Sequence, residues 1–241
     1  MIILDFLEKT YSKALNFSFK ALNPIKKKII HTHCRVHKFI NVQGVKILKS
    51  NNYLGEYNFF MSYITHINKG SVWADQDFKS NGHFYNPYKK KGLYGGKNAM
   101  NLAKNYYNKS LKLWAMGSFN KSLFYLGACI HIIQDMTIPQ HANIKLLDNH
   151  RQYENFVKKT YTYMNEFKCN KNPILLNSID KYVRFNGRIA LRTYKKYKNI
   201  KYDNERFYKI SKISLPIAQR TTAGCMILFY NEIFNKKTKK S

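Results

Sequence analysis

Acidic residues are scarce in this chain: Asp and Glu number 13 against 42 Lys and Arg, a formal net charge of +29 over 241 residues. A surface so biased draws anions, and nucleic acid and anionic lipid head groups are the two obvious classes, each attracted at long range and less so in salt. Lys, Asn, Ile and Tyr are all abundant, a bias that nucleotide composition also produces. The charge therefore bears on solubility and non-specific association and selects no reaction. Cysteine is sparse as well. Cys34, Cys129, Cys169 and Cys225 are scattered without a CxxC pair, which argues against a disulfide framework, and Cys129 and Cys225 sit in apolar runs as ordinary core residues. No apolar run could span a membrane. Asp5 and Glu8 interrupt the apolar stretch at the amino terminus, so no secretion signal is read there and the expected location is cytoplasmic or at a membrane surface. Strand-type alternation is rare and internal repeats are missing.

What is present is helical periodicity. Apolar residues recur at three or four over 4–22, 36–49, 53–68, 97–116, 119–137, 149–166, 174–198 and 205–235. The pattern predicts an all-α fold, a bundle of about eight to ten helices. One domain is expected over 31–236, between an amphipathic basic extension (1–30) and a basic tail (237–241), with no second domain. In SLFYLGACIHII the apolar content is nearly continuous, which for a helix means burial on most sides and predicts the central element. Loops are expected at 80–96 and 138–148.

The carboxyl end of that central helix carries the chemistry. His131 and Asp135 are four apart and project from one helical face, where they can grip one ion together. Pro139 ends the helix and should turn the chain at Ile138, bringing His141 back toward the same pocket. His150 and Glu154 form a second pair with the same spacing, provided a helix begins near Asp148 or Asn149, both acceptable N-caps. A lone HxxxD or HxxxE is more often an exposed polar face than a ligand set. Here His131 lies among Ala128, Cys129, Ile130, Ile132 and Ile133, where an unpaired imidazole and carboxylate would be costly to bury and a metal would remove the cost. Two pairs and a bridging His point to a zinc site of more than one ion, since imidazole and carboxylate suit zinc and one carboxylate can bridge two ions.

The stretch HIIQDMTIPQHAN (131–143) closely resembles the signature of the bacterial zinc-dependent phospholipases C: His, three residues, Asp, then Pro, one residue, His and a small residue, with Asn shortly after. Gln134 stands where the family usually has Gly or Thr, and Asn143 lies one residue early. Upstream, GSVWADQDFKSNGHFYNPY (70–88) is similar to the family's loop with a catalytic Asp and a zinc-binding His, with Asn86 in place of the usual Asp. That resemblance makes Asp75 the general base, with Asp77 as the alternative, and His83 a ligand. HKFINVQGVKIL (37–48) resembles the family's first helix, with His37 as its zinc-binding His. Family members supply a further ligand from an amino-terminal Trp, and neither Trp of this chain lies near that region. His33, four residues before His37, and then Cys34 are the candidate substitutes, while His66 reads as a polar helix position.

The resemblance implies two to three zinc ions: one on His83, His131 and Asp135, a second on His141, His150 and Glu154, and a third on His37 with bridging Asp135. It implies hydrolysis of phosphatidylcholine-type phospholipids to diacylglycerol and a phosphorylated head group. Phospholipid is then the substrate, an anionic membrane surface a plausible partner, and no obligate protein partner is expected. The single-strand-specific zinc nucleases share the fold and a similar ligand order, and the net charge would suit nucleic acid. They typically close the ligand set with His-three-Asp, whereas Glu154 closes it here, and His150 follows His141 at a shorter gap. Nucleic acid is therefore the less favoured substrate. A catalytically weak zinc- or lipid-binding relative is the remaining reading.

Overall fold

The computed structural model describes residues 34–76, 79–93, 97–144 and 149–234. The extension 1–30, His31, His33, Asp77, Asp148 and the tail 237–241 lie outside those residues. Among the described residues the fold is all-α: α1 (Arg35–Ser50), α2 (Leu54–Ala74), α3 (Ala99–Ala115), α4 (Phe119–Asp135), α5 (Pro139–Asn143), α6 (His150–Thr160), α7 (Ile179–Tyr197) and α8 (Asp203–Phe234). Single 3₁₀ turns lie at Lys79–Gly82 and Asn165–Phe167. None of the described helices is long and apolar enough to cross a membrane.

Helix α4 is the central element, as its apolar content predicts. It packs between α2 and α3 and also meets α7 and α8. Leu123, Leu126, Cys129, Ile130, Ile132 and Ile133 are all fully buried. Each such Leu or Ile contributes about 1.5–3 kcal/mol by leaving water. A second apolar cluster joins α1, α6 and α8 through Ile40, Tyr153, Val157, Phe207, Ile210 and Leu215.

One expectation needs correction. Residues 70–74, read from sequence as part of a loop, are the last turns of α2, which runs to Ala74. Gly70 is a contact residue there and not a helix breaker: a Cβ on it would stand 1.8 Å from the Phe124 carbonyl oxygen on α4. Gly127 on α4 is its counterpart, with the Ile67 carbonyl oxygen 2.0 Å from where its Cβ would be. The absent side chains let the two backbones touch, and the Ser71 hydroxyl donates to the Gly127 carbonyl at 3.0 Å. Residues 161–166 and 174–178 also fall outside α-helices, 165 and 166 lying in the second 3₁₀ turn. The second segment is held by other bonds: Ile174 N donates to the Arg220 carbonyl and Leu176 N to the Tyr182 hydroxyl. Helix α7 then starts after Ser178, whose hydroxyl accepts from Lys181 N.

The turn at Pro139 forms as expected. Thr137 N and Ile138 N bond back to Gln134 and Asp135 carbonyls, tightening the end of α4. Ile138 is extended (φ −86°, ψ 123°), and Pro139 is the first residue of α5. Tightening leaves the Ile133 carbonyl without its helical partner, and Asn186 Nδ2 on α7 donates to it at 2.8 Å. Helix α6 begins at His150 after Asn149, which holds the N-cap position with a left-handed backbone and no capping side-chain bond.

Candidate metal centre

Six separate elements bring their polar side chains to one place. The carboxyl end of α4 supplies His131, Gln134 and Asp135, all buried. Helix α1 supplies His37, the carboxyl terminus of α2 supplies Asp75 as its C-cap, the segment after the first 3₁₀ turn supplies His83, and α5 and α6 supply His141, His150 and Glu154. The Gly70–Gly127 contact sits about one turn before Asp75 on α2 and one turn before His131 on α4. Close helix packing thus sets the spacing between those two residues.

Asp135 is the hub. His83 Nδ1 donates to its Oδ2 at 2.7 Å, His131 Nε2 lies 3.2 Å from the same oxygen, and His37 Nε2 lies 3.4 Å from Oδ1. Burial alone would raise the Asp135 carboxyl, but the neighbouring His131 and His141 and the hydrogen bonds from His131 and His83 outweigh it and hold the group well below the usual carboxylate range. Burial likewise lowers His131, and the adjacent Asp135 carboxylate more than reverses that. For His37 burial and the nearby His131 prevail, and its pKa falls.

The second pair is assembled as its spacing predicts. His150 Nε2 lies 3.1 Å from Glu154 Oε1, and the two rings of His141 and His150 are 4.7 Å apart. His141 is stacked on Phe84, and its Nδ1 donates to the His83 carbonyl at 3.2 Å, which leaves Nε2 to face the site. Burial pushes His141 down to about 4. Burial works the other way on Glu154, yet the His150 hydrogen bond and the surrounding positive charge bring it down to about 2.

Three donor groups result, each with its atoms within 4.8 Å of one another: His37, His131 and Asp135; Asp75, His83 and His131; and His141, His150 and Glu154. His83 Nε2 and His131 Nδ1 are buried with no polar partner, and buried His131 Nε2 and His150 Nε2 have only the carboxylate of their own pair, at 3.2 and 3.1 Å. Uncompensated, such atoms are expensive; as lone pairs aimed at cations they are satisfied. The donor chemistry, imidazole and carboxylate alone, fits zinc. Cys34 belongs to none of these groups but touches one of them: its backbone is left-handed and its thiol donates to Asp75 Oδ2 at 3.2 Å, and burial and the nearby carboxylate push that thiol far up.

The family model for zinc dependent phospholipase C matches residues 36–212. The chain belongs to that family. All seven zinc-competent residues and Asp75 lie inside the matched span. A phospholipase C of Clostridium novyi is 23% identical over 236 residues, covering 82% of this chain and 58% of that protein. Among solved structures, an alpha toxin from Clostridium absonum superimposes with a TM-score of 0.70 at 17% identity over 83% of this chain and 65% of the toxin. The alpha-toxin of an avian strain of Clostridium perfringens gives 0.67 at 18% identity over 86% and 65%. This zinc-dependent phospholipase C family member therefore spans a little under two thirds of the length of those relatives.

Two departures from the family signature have local explanations. Gln134 Oε1 accepts from His37 Nδ1, while its amide donates to Asn41 Oδ1 at 2.8 Å and Thr222 Oγ1 at 3.0 Å. Asn86 Oδ1 accepts from the backbone of Tyr88 and Lys89 and so closes its own turn, a task any Asx side chain performs. Asn41 and Thr222 escaped the reading of the sequence. Their one signal was a polar residue within a largely apolar stretch of helix.

The centre opens on a cavity of about 790 Å³, walled on one side by Ile40, Ile138, Tyr153, Val157 and Leu215. His66 is remote from it, resting near Tyr63 on α2.

Proposed function

We propose that this protein is a zinc-dependent phosphodiester hydrolase of the phospholipase C type, cleaving phosphatidylcholine-type phospholipids to diacylglycerol and a phosphorylated head group. The observation that carries the reading is the convergence of three donor groups, Asp75 among their members, on a cavity with one apolar wall. The polar end suits a phosphate and the apolar wall suits the glycerol and acyl portion.

In this proposal His83, His131 and Asp135 hold one zinc ion, His141, His150 and Glu154 a second, and His37 with Asp135 a third. Bound there, zinc would neutralise the charge on the phosphate and acidify a water molecule. Asp75 orients the attacking water and takes its proton as the new oxygen–phosphorus bond forms; the bond from phosphorus to the glycerol oxygen breaks, and that oxygen takes a proton from solvent and leaves as diacylglycerol. Cys34, donating to Asp75 Oδ2, keeps that carboxylate pointed into the site. It remains a candidate additional ligand, since zinc binds a thiolate well once the proton is displaced. Residues 31–236 form the catalytic unit.

The test is hydrolysis of phosphatidylcholine vesicles and of single-stranded DNA, in parallel, with zinc added and removed. The expected result is zinc-dependent release of phosphocholine. Asp75→Asn should lower it by roughly 10²–10⁴-fold, the usual worth of a positioned base, while zinc content by metal analysis stays that of the parent. Zinc-dependent cleavage of DNA in place of lipid would overturn the lipid substrate, and tight zinc binding with neither activity would overturn the enzyme.

A further inference from the structure

We infer that, among the phospholipids this site cleaves, the cavity favours those of net negative charge, such as phosphatidylglycerol, over those that end in choline, which are cleaved more slowly; the inference rests on the phospholipase C reading above. A choline head group ends in a trimethylammonium cation. Recognising it takes an uncommitted carboxylate or open aromatic faces. Among the described residues the cavity offers neither. Its three carboxylates are all engaged: Asp75 by Cys34, Asp135 by the histidines around it, and Glu154 by His150 and by Lys158 Nζ at 3.4 Å. Its two aromatic rings, Phe84 and Tyr153, are 1% and 2% exposed, and Phe84 gives one face to His141 at 4.6 Å.

The rim carries the opposite charge. Exposed Arg35, at the start of α1, and Arg151, beside His150 on α6, both line the cavity, and neither has an ion-pair partner among the described residues. Two unpaired guanidiniums beside a site for phosphate repel a head-group cation and can donate to the oxygens of an anionic or polyhydroxylated one. The apolar wall from α1, α6 and α8 is left for the glycerol side of the lipid. Net charge alone would not give this preference, because it recruits the protein to any anionic surface without sorting head groups inside the cavity.

The experiment therefore removes the surface. The zinc-loaded protein is assayed on monomeric dihexanoyl-phosphatidylglycerol and dihexanoyl-phosphatidylcholine below their micelle concentrations. The expected kcat/KM ratio favours phosphatidylglycerol by about tenfold, the scale of one or two charge-assisted contacts at a partly solvated rim. Combined Arg35→Gln and Arg151→Gln should bring the ratio close to one. Lys121→Gln, an exposed lysine at the far end of α4, should leave it unchanged and so separates local contact from overall charge. Equal or faster cleavage of phosphatidylcholine by the parent protein, or a ratio that survives the double substitution, would overturn the inference while leaving the phospholipase reading intact. No cleavage of either lipid would overturn both.

Discussion

Gln134 Oε1 lies 2.7 Å from His37 Nδ1, and because the Gln134 amide donates to Asn41 and Thr222, that oxygen can only accept. The proton of His37 is thereby fixed on Nδ1, and its Nε2 lone pair faces Asp135 and His131. The residue that departs from the family signature is thus the one that orients an imidazole of the centre, and it ties α1, α4 and α8 together in doing so.

Removing that bond should cost metal affinity more than fold. Gln134→Leu is expected to weaken one zinc site by roughly ten- to a hundredfold, the usual effect of losing an orienting partner behind a metal-binding His. Competition with a chromophoric chelator reads this directly. An unchanged set of affinities would mean that His37 needs no orienting, or that it holds no ion.

The contact of α2 with α4 makes a different prediction. In Gly70→Ala the new methyl would meet the Phe124 carbonyl, a backbone atom that cannot swing aside, so α2 has to retreat. A loss of about 2–3 kcal/mol is expected in denaturant unfolding, within the usual range for overpacking a close contact. Hydrolysis should fall beyond what the lost stability explains, because Asp75 rides on the end of α2. Full activity in the fraction still folded would separate the helix contact from the placement of Asp75.

Acid should weaken the zinc-free protein through His141. Its folded pKa of about 4 lies below the 6.5 of an ordinary imidazole, so between those values the unfolded chain binds the proton and the folded one does not. Stability at this site therefore falls as pH drops from 6.5 toward 4 and levels off below, by about 3 kcal/mol in all. His37, also lowered, adds to the fall, whereas His131, raised by Asp135, opposes it. Comparing chelated wild type with His141→Asn, which cannot titrate, isolates the contribution. Parallel stability curves for the two from pH 7 to 4 would show that His141 is not buried neutral.

The sequence by itself determined the helices and both spaced pairs. Apolar recurrence is a local property, so α1, α3, α4 and α8 lie close to where periodicity puts them, and a spacing of four on a helix leaves His131 beside Asp135 and His150 beside Glu154 whatever surrounds them. Pro139 was equally legible, since its missing N–H acts on its immediate neighbours. Only the tertiary structure decided what those pairs face. Gly70 is a loop signal in sequence and a helix contact in the fold, because its meaning depends on a carbonyl of α4 far along the chain. Gln134 is a blemish in a motif until Asn41 and Thr222, from other helices, show which way its amide points. His37 and His83 both reach Asp135 from far upstream in the chain, and no local pattern encodes that meeting: it follows from the packing of buried helices around α4, which fixes in three dimensions what the spacing of residues leaves open.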